Sequence, residues 1–392
     1  MAAVTRCYLD HAATTPMVAA AVEAVTASLG TVGNPSSLHS SGRAVRRVVE
    51  DAREQIAALL GARPSEVIFT SGGTEADNLA IKGGYGIRRR RDGRNGVVVS
   101  AIEHHAVLDP ARWLASTAGA KLAEVGVSSV GAVDPAQLVA SVDEATAVVS
   151  IMWANNEIGT LQPVPAVAEA AHRAGAWAHS DAVQAAGHVP VDFAASGLDL
   201  MTVTAHKLGG PVGVGALIAR REIVLDPLLH GGGQERDVRS GTLDAVGIAG
   251  FAAALAAVCA VRDEERQRLE SLRRGLIDAV LAAAPDAVIH GPVEPAERLA
   301  RLLNVELPGC SADALLLLLD AAGIDCSTGS ACAAGVARPS HVLLGLGRSA
   351  AQAGSALRFS LGHTSTQADV AALARVLPEV LARARAFSGA VG

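Results

Sequence analysis

The chain has 392 residues, 50% of them apolar and 18% charged, with a formal net charge of -6. That is ample for a large core and too long for one average domain, so one larger and one smaller domain are expected. The negative balance gives no basic field for nucleic acid, and no stretch approaches the roughly 20 apolar residues of a membrane span.

The first residues, Met1 to Arg6, lack the apolar core of a signal peptide, and a cytoplasmic protein is expected. Between about 43 and 60, Val45, Val48, Val49, Ala52, Ile56, Leu59 and Leu60 recur at helical spacing, and Gly61 is a suitable C-cap. Strand-like runs follow at 67–70, 97–100, 147–152, 176–180, 200–204 and 214–218, some separated by helical stretches such as 164–174. The alternation implies parallel pairing in an open α/β sheet with helices on both faces. Ligands bind outside the carboxyl ends of such strands. The basic run Arg88 to Arg91, followed by turn residues, reads as a solvated loop. From 245 to 284 Ala- and Leu-rich helical patterns dominate, and strands at 301–307 and 356–360 with a helix at 312–322 suggest a smaller α+β domain. A surface helix is expected over 366–387. The five cysteines, Cys7, Cys259, Cys310, Cys326 and Cys332, include no Cys-x-x-Cys pair. Neither a disulfide framework nor a metal site is expected, and the set fits a reducing compartment.

Polar clusters stand at the ends of the strand-like runs. Lys207 follows 200–204 and precedes Gly209, Gly210 and Pro211. A lysine packed there against apolar neighbours loses preference for its charged form and becomes a nucleophile. Asp181 ends another run. Together they match a pyridoxal phosphate site, in which the lysine forms the Schiff base and the carboxylate keeps the pyridine nitrogen protonated. In Ser71-Gly72-Gly73-Thr74-Glu75-Ala76-Asp77, Thr74 and Asp77 resemble a capping box, and the glycines let backbone amides approach a phosphate. The segment fits neither the Walker A nor the Gly-x-Gly-x-x-Gly pattern. Of the adjacent His104 and His105, an extended chain can aim only one into a pocket. Asn155 and Asn156 offer amides, Gln184 lies one turn beyond Asp181, and Thr204 and His206 flank Lys207 as further phosphate donors.

Residues 326–339 are nearly all small, so little side-chain area anchors the loop. A cysteine there can visit a site, react and carry a product outward. Cys326, beside the apolar 321–324, suits an inert packing role better than Cys332 does. Arg358, in a later strand-like run, is a natural clamp for a substrate carboxylate.

Tyr8-Leu9-Asp10-His11-Ala12-Ala13-Thr14-Thr15, Gly33-Asn34-Pro35-Ser36-Ser37, Thr70-Ser71-Gly72-Gly73-Thr74-Glu75, Asn155-Asn156-Glu157-Ile158-Gly159 and His206-Lys207 resemble the IscS/NifS-type cysteine desulfurases. So do Gly231-Gly232-Gly233-Gln234-Glu235-Arg236, Arg239-Ser240-Gly241-Thr242 and Ser327-Thr328-Gly329-Ser330-Ala331-Cys332. The resemblance spans essentially the whole chain and implies the fold type I architecture of aspartate aminotransferase, an α/β fold, in a homodimer. The division expected is a large cofactor-binding domain over 15–257 and a small domain from 1–14 and 258–392 that carries the cysteine loop.

By the same resemblance, Lys207 holds pyridoxal phosphate, Asp181 pairs with its ring nitrogen, His104 stacks on the ring and assists proton transfer, and Gln184 bonds the ring hydroxyl. Gly73, Thr74, Thr204 and His206 hold the phosphate, and Thr242 reaches it from the partner subunit. Asn155 is assigned to the cofactor and, with Asn34 and Arg358, to the substrate carboxylate. The implied reaction takes sulfur from L-cysteine, leaving L-alanine and a persulfide on Cys332, whose thiolate is the attacking form. That sulfur would go to iron–sulfur cluster assembly or other sulfur-transfer proteins. Thr204 replaces the Ser of many relatives and Gly73 the more usual Ala, and neither change removes a donor. The sequence ends at Gly392, soon after its last helix, without the longer tail with which housekeeping relatives dock an iron–sulfur scaffold, so the acceptor stays open. Lys207 and Asp181 would equally suit a selenocysteine lyase, a kynureninase-like hydrolase or an aminotransferase, and the Cys332 loop favours the desulfurase. A non-catalytic sulfur or cluster carrier would not need the complete set of cofactor residues.

Overall fold

A computed structural model of the protein describes residues 6–329 and 339–390. Its strands are β1 (Cys7–Tyr8), β2 (Val67–Thr70), β3 (Gly96–Ser100), β4 (Lys121–Val125), β5 (Thr146–Ser150), β6 (Trp177–Asp181), β7 (Leu200–Thr204), β8 (Gly215–Ala219), β9 (Val288–His290), β10 (Leu302–Glu306), β11 (Ile324–Asp325) and β12 (Ala356–Ser360). Seven of them form the central sheet in the order β2-β8-β7-β6-β5-β3-β4. All run parallel except β8, which is antiparallel to both β2 and β7. The expected all-parallel pairing fails at β8 because only residues 205–214 join it to β7. That is too short for the crossover a parallel partner needs.

β2, β3, β5, β7 and β8 are buried along their whole length, which is why they read as apolar runs. The edge strand β4 escaped sequence reading because it exposes Lys121 and Glu124. Helix Ser40–Leu59 turns Val49, Ala52, Ile56 and Ala57 onto the main core and stops before Gly61, which takes φ +65°. The basic run is not a loop. It forms the last turns of helix Gly84–Asp92, closed by Gly93 at φ +71°. Arg88 lies over the Trp177 ring at 5.0 Å and pairs with Asp92 at 2.7 Å.

A second core joins Leu272, Leu303, Leu315, Phe359 and Leu377 with Cys7 and Leu9 from the start of the chain. It packs around an antiparallel sheet ordered β12-β10-β9, while β1 pairs with β11. The long helical region breaks at Val261 into Ala245–Ala260 and Arg262–Ala283, bent by 72°. Among the described residues no single helix is long and apolar enough to cross a membrane.

Candidate active site

The carboxyl ends of β6 and β7, the turn after β2 and strand β12 enclose a cavity of about 390 Å³. It is lined by Gly73, Thr74, His104, Asp181, Gln184, Thr204, His206, Lys207 and Arg358, with Ala12, Asp77, Asn156, Ser327 and Gly329. Short turns off buried strands put these groups there.

The turn that follows β7 carries Lys207 and closes at Gly209 (φ +75°), where a Cβ would come within 2.9 Å of the Pro16 carbonyl oxygen. Lys207 Nζ donates to the carbonyls of Ala12 and Ala13 at 2.5 and 2.6 Å. Burial pushes its pKa down to about 7, helped by the charges of Arg358 and Arg301. Asp181 ends β6 and accepts from the Val183 N–H at 2.9 Å. Burial raises its pKa to about 6, while that N–H and Lys207 pull the other way. No helix starts at Asp181. Successive turns follow it, yet Gln184 still reaches the cavity, donating from Nε2 to Ala12 O at 3.0 Å and accepting Arg301 on Oε1 at 2.9 Å.

Of the two histidines, His104 faces the cavity while His105 pairs with Asp109. His104 Nδ1 accepts the Ala106 N–H at 3.1 Å and caps helix His105–Ala118. Its ring is open to the cavity but walled by protein, and this desolvation pushes its pKa down to about 4, so the imidazole is neutral near pH 7. His206, also desolvated to about 4, reaches Thr14 Oγ1 at 3.3 Å.

The capping box expected from Thr74 and Asp77 does not form. Glu75 instead accepts the Ser71 N–H at 2.6 Å, and Asp77 is buried. Helix Gly73–Asn78 therefore starts without a side-chain cap, and its first residues border the cavity. It runs through a π-helical turn, Leu79–Gly83, into Gly84–Asp92.

Three predicted residues do not line the cavity. Asn155 is fully buried, with Nδ2 on Ile102 O at 3.0 Å and Oδ1 accepting the N–H groups of Glu157 and Ile158. Asn34 and Thr242 are exposed, and Thr242 borders a separate groove with Gly33 and Pro35. Cys332 lies outside the described residues, although Ser327 and Gly329 reach the cavity wall. Cys326 is desolvated, and its thiol is pushed up to about 12. Sequence reading passed over Asp10, which pairs with Arg358 at 2.7 Å, and the fully buried Glu103, raised to about 8 by desolvation. It also misread Asp77 as a helix cap and passed over Arg301. Their only signals were a carboxylate within an already quoted motif and an arginine interrupting an apolar run.

Residues 7–373 match the family described as Aminotransferase class-V. The chain belongs to that family. As a class-V aminotransferase relative, it is 52% identical over 381 residues to an IscS-like cysteine desulfurase of Mycobacterium tuberculosis (strain ATCC 25618 / H37Rv), covering 96% of this chain and 97% of that one. It is 41% identical over 382 residues to a cysteine desulfurase IscS of Methanosarcina thermophila, covering 97% and 93%. A solved NifS-like protein superposes with a TM-score of 0.89 at 34% identity, over 96% of this chain and 100% of that one. The fold is therefore that of the fold type I pyridoxal-phosphate enzymes. Class-V members depend on that cofactor. The cavity's donor set suits it: an uncapped helix N-terminus for a phosphate, a buried carboxylate for a ring nitrogen, and a desolvated amine. Among the described residues no cluster of three or more His, Cys, Asp or Glu could hold a metal ion.

Proposed function

We propose that this protein is a cysteine desulfurase that converts L-cysteine to L-alanine and passes the sulfur on through Cys332. One observation carries the reading: the segment leading to Cys332 leaves from the wall of the cavity that holds Lys207 and Arg358. Gly329 stands three residues before Cys332, and three residues span at most about 11 Å.

Pyridoxal phosphate, when bound, supplies an electron sink for negative charge on the substrate carbon. Gly73, Thr74, Thr204 and His206 would hold its phosphate, Asp181 its ring nitrogen, His104 its ring face and Gln184 its ring hydroxyl. Arg358 lines the cavity, held by Asp10 and by Asn156 O at 3.0 Å, and a guanidinium fixed there suits a substrate carboxylate. Lys207, half ionised near neutral pH, takes and returns protons at the substrate carbons. The Cys332 thiolate attacks the substrate sulfur. An S–S bond forms, the C–S bond breaks with its electron pair left on carbon, and a proton completes alanine. Asn155 in its present bonds shapes the turn beside the cavity.

Asn34 and Thr242 both lie away from the cavity of their own protomer, which fits a homodimer in which one copy completes the other's site. The acceptor is a sulfur-transfer or iron–sulfur assembly protein, and the setting is the cytoplasm. Purified protein should be yellow and release sulfide from L-cysteine with a reductant. Colourless protein that takes up no cofactor would refute the reading.

Two outcomes follow from the geometry. Borohydride capture of pyridoxal phosphate by the apoprotein should accelerate as pH rises through about 7, because Lys207 deprotonates there instead of near 10.5. Arg358→Lys should raise KM for L-cysteine by about 10- to 100-fold with a smaller change in kcat, since a forked, charge-assisted contact is lost.

A further inference from the structure

Arg301, just ahead of β10, is among the largest fully buried side chains, with 2% of its surface exposed. Burial of a cation is costly and is normally offset by a carboxylate. Arg301 has none among the described residues. It contacts the His188 ring nitrogen, donates to His11 O at 3.3 Å and to Gln184 Oε1 at 2.9 Å, and leaves its Nε without a partner. Glu265 borders a smaller cavity of about 240 Å³ together with Arg301, but both its oxygens are taken by Arg268 at 2.7 Å.

The geometry points to Arg301 as a positioning residue of the cofactor site: it fixes the orientation of the Gln184 amide and sets an uncompensated positive charge behind Lys207. Because its Oε1 is held by a donor that cannot accept, Gln184 must turn its Nε2 toward Ala12 and the cavity. The other charged and titratable groups facing Lys207 are Arg358, Asp10, Asp181, His104 and His206. Arg358 acts on Lys207 in the same direction and ahead of Arg301, but its bonded partner Asp10 opposes it there, and the two histidines are uncharged near pH 7. Around Arg301 stand His11 and His188, both kept neutral by burial, and Arg358. Burial lowers Arg301 itself to about 9, which leaves it charged at neutral pH. Its field therefore opposes protonation of the Lys207 nitrogen, the direction found for that amine.

This inference rests on the cavity being the cofactor site, which loading with pyridoxal phosphate checks first. The loaded protein is then titrated with pH, following the visible absorption of the bound cofactor. Arg301→Met should raise the midpoint by about one unit, as loss of a nearby buried charge requires, whereas Arg301→Lys should leave it near the parent value. If the methionine variant does not fold, Arg301→Gln removes the charge while keeping a donor for Gln184, and should show the same rise. A folded, loaded neutral variant with an unmoved midpoint would overturn the proposal and leave Arg301 a strut between the two cores. A lysine variant that shifts as far as the neutral ones would overturn the role of the charge. Protein that binds no cofactor at all would instead count against the site.

Discussion

Lys207→Ala is expected to lower turnover of L-cysteine by about 10⁴-fold, the upper range for removing a positioned proton-transfer group. In the proposed reaction the same lysine also anchors the cofactor covalently, a role no other group lining the cavity has the chemistry to take over. His104 and His206 are desolvated and, though neutral at pH 7, sit far below the basicity of an amine. The fold should survive. Among the described residues the Lys207 amine bonds only to the carbonyls of Ala12 and Ala13, and Ala12 O keeps its bond from Gln184. The neighbouring Leu208, not Lys207, belongs to the main core. Sulfide release and thermal unfolding measured side by side give the answer. An alanine variant within tenfold of the parent would remove Lys207 from the mechanism.

Cys332→Ser should keep the cofactor's colour and lose turnover by about 10³-fold or more, because a serine hydroxyl is not ionised near neutral pH as a thiol can be. Cys326 offers no rescue. With its thiol pushed up to about 12, only on the order of 10⁻⁵ of it is thiolate at pH 7. Cys7, also desolvated to about 12, packs in the second core. Steady-state alanine formation checks this, and undiminished activity would move the sulfur carrier to Cys326.

Much of this was legible because buried parallel strands must be apolar along their length. The runs at 67–70 and 200–204 are β2 and β7 to the residue. Lys207, Asp181 and Gln184 were readable as polar groups where such runs stop, since only there can a charged side chain meet a cavity without crossing the core. What escaped depended on long-range packing. β4 carries the exposed charges Lys121 and Glu124, so it lacks the apolar run that marks the buried strands. The reversal of β8 depends on a ten-residue link, not on its own sequence. Asp77 looked like a cap because Thr74 stands three residues before it, but the helix turns it inward toward His179, 3.7 Å away. Arg301 showed only as a charge inside an apolar run, because its partners Gln184, His188 and His11 are more than a hundred residues distant. Asn34 and Thr242 reach the cavity only in the proposed homodimer, which a single chain's sequence does not describe.

The most direct test is a single turnover. Protein loaded with pyridoxal phosphate is mixed with one equivalent of L-cysteine without reductant, then analysed for alanine and, by peptide mass spectrometry, for bound sulfur. One alanine per protomer is expected, with one added sulfur atom on the peptide containing Cys332. Alanine without protein-bound sulfur, or sulfur mapped only to another cysteine, would contradict the account.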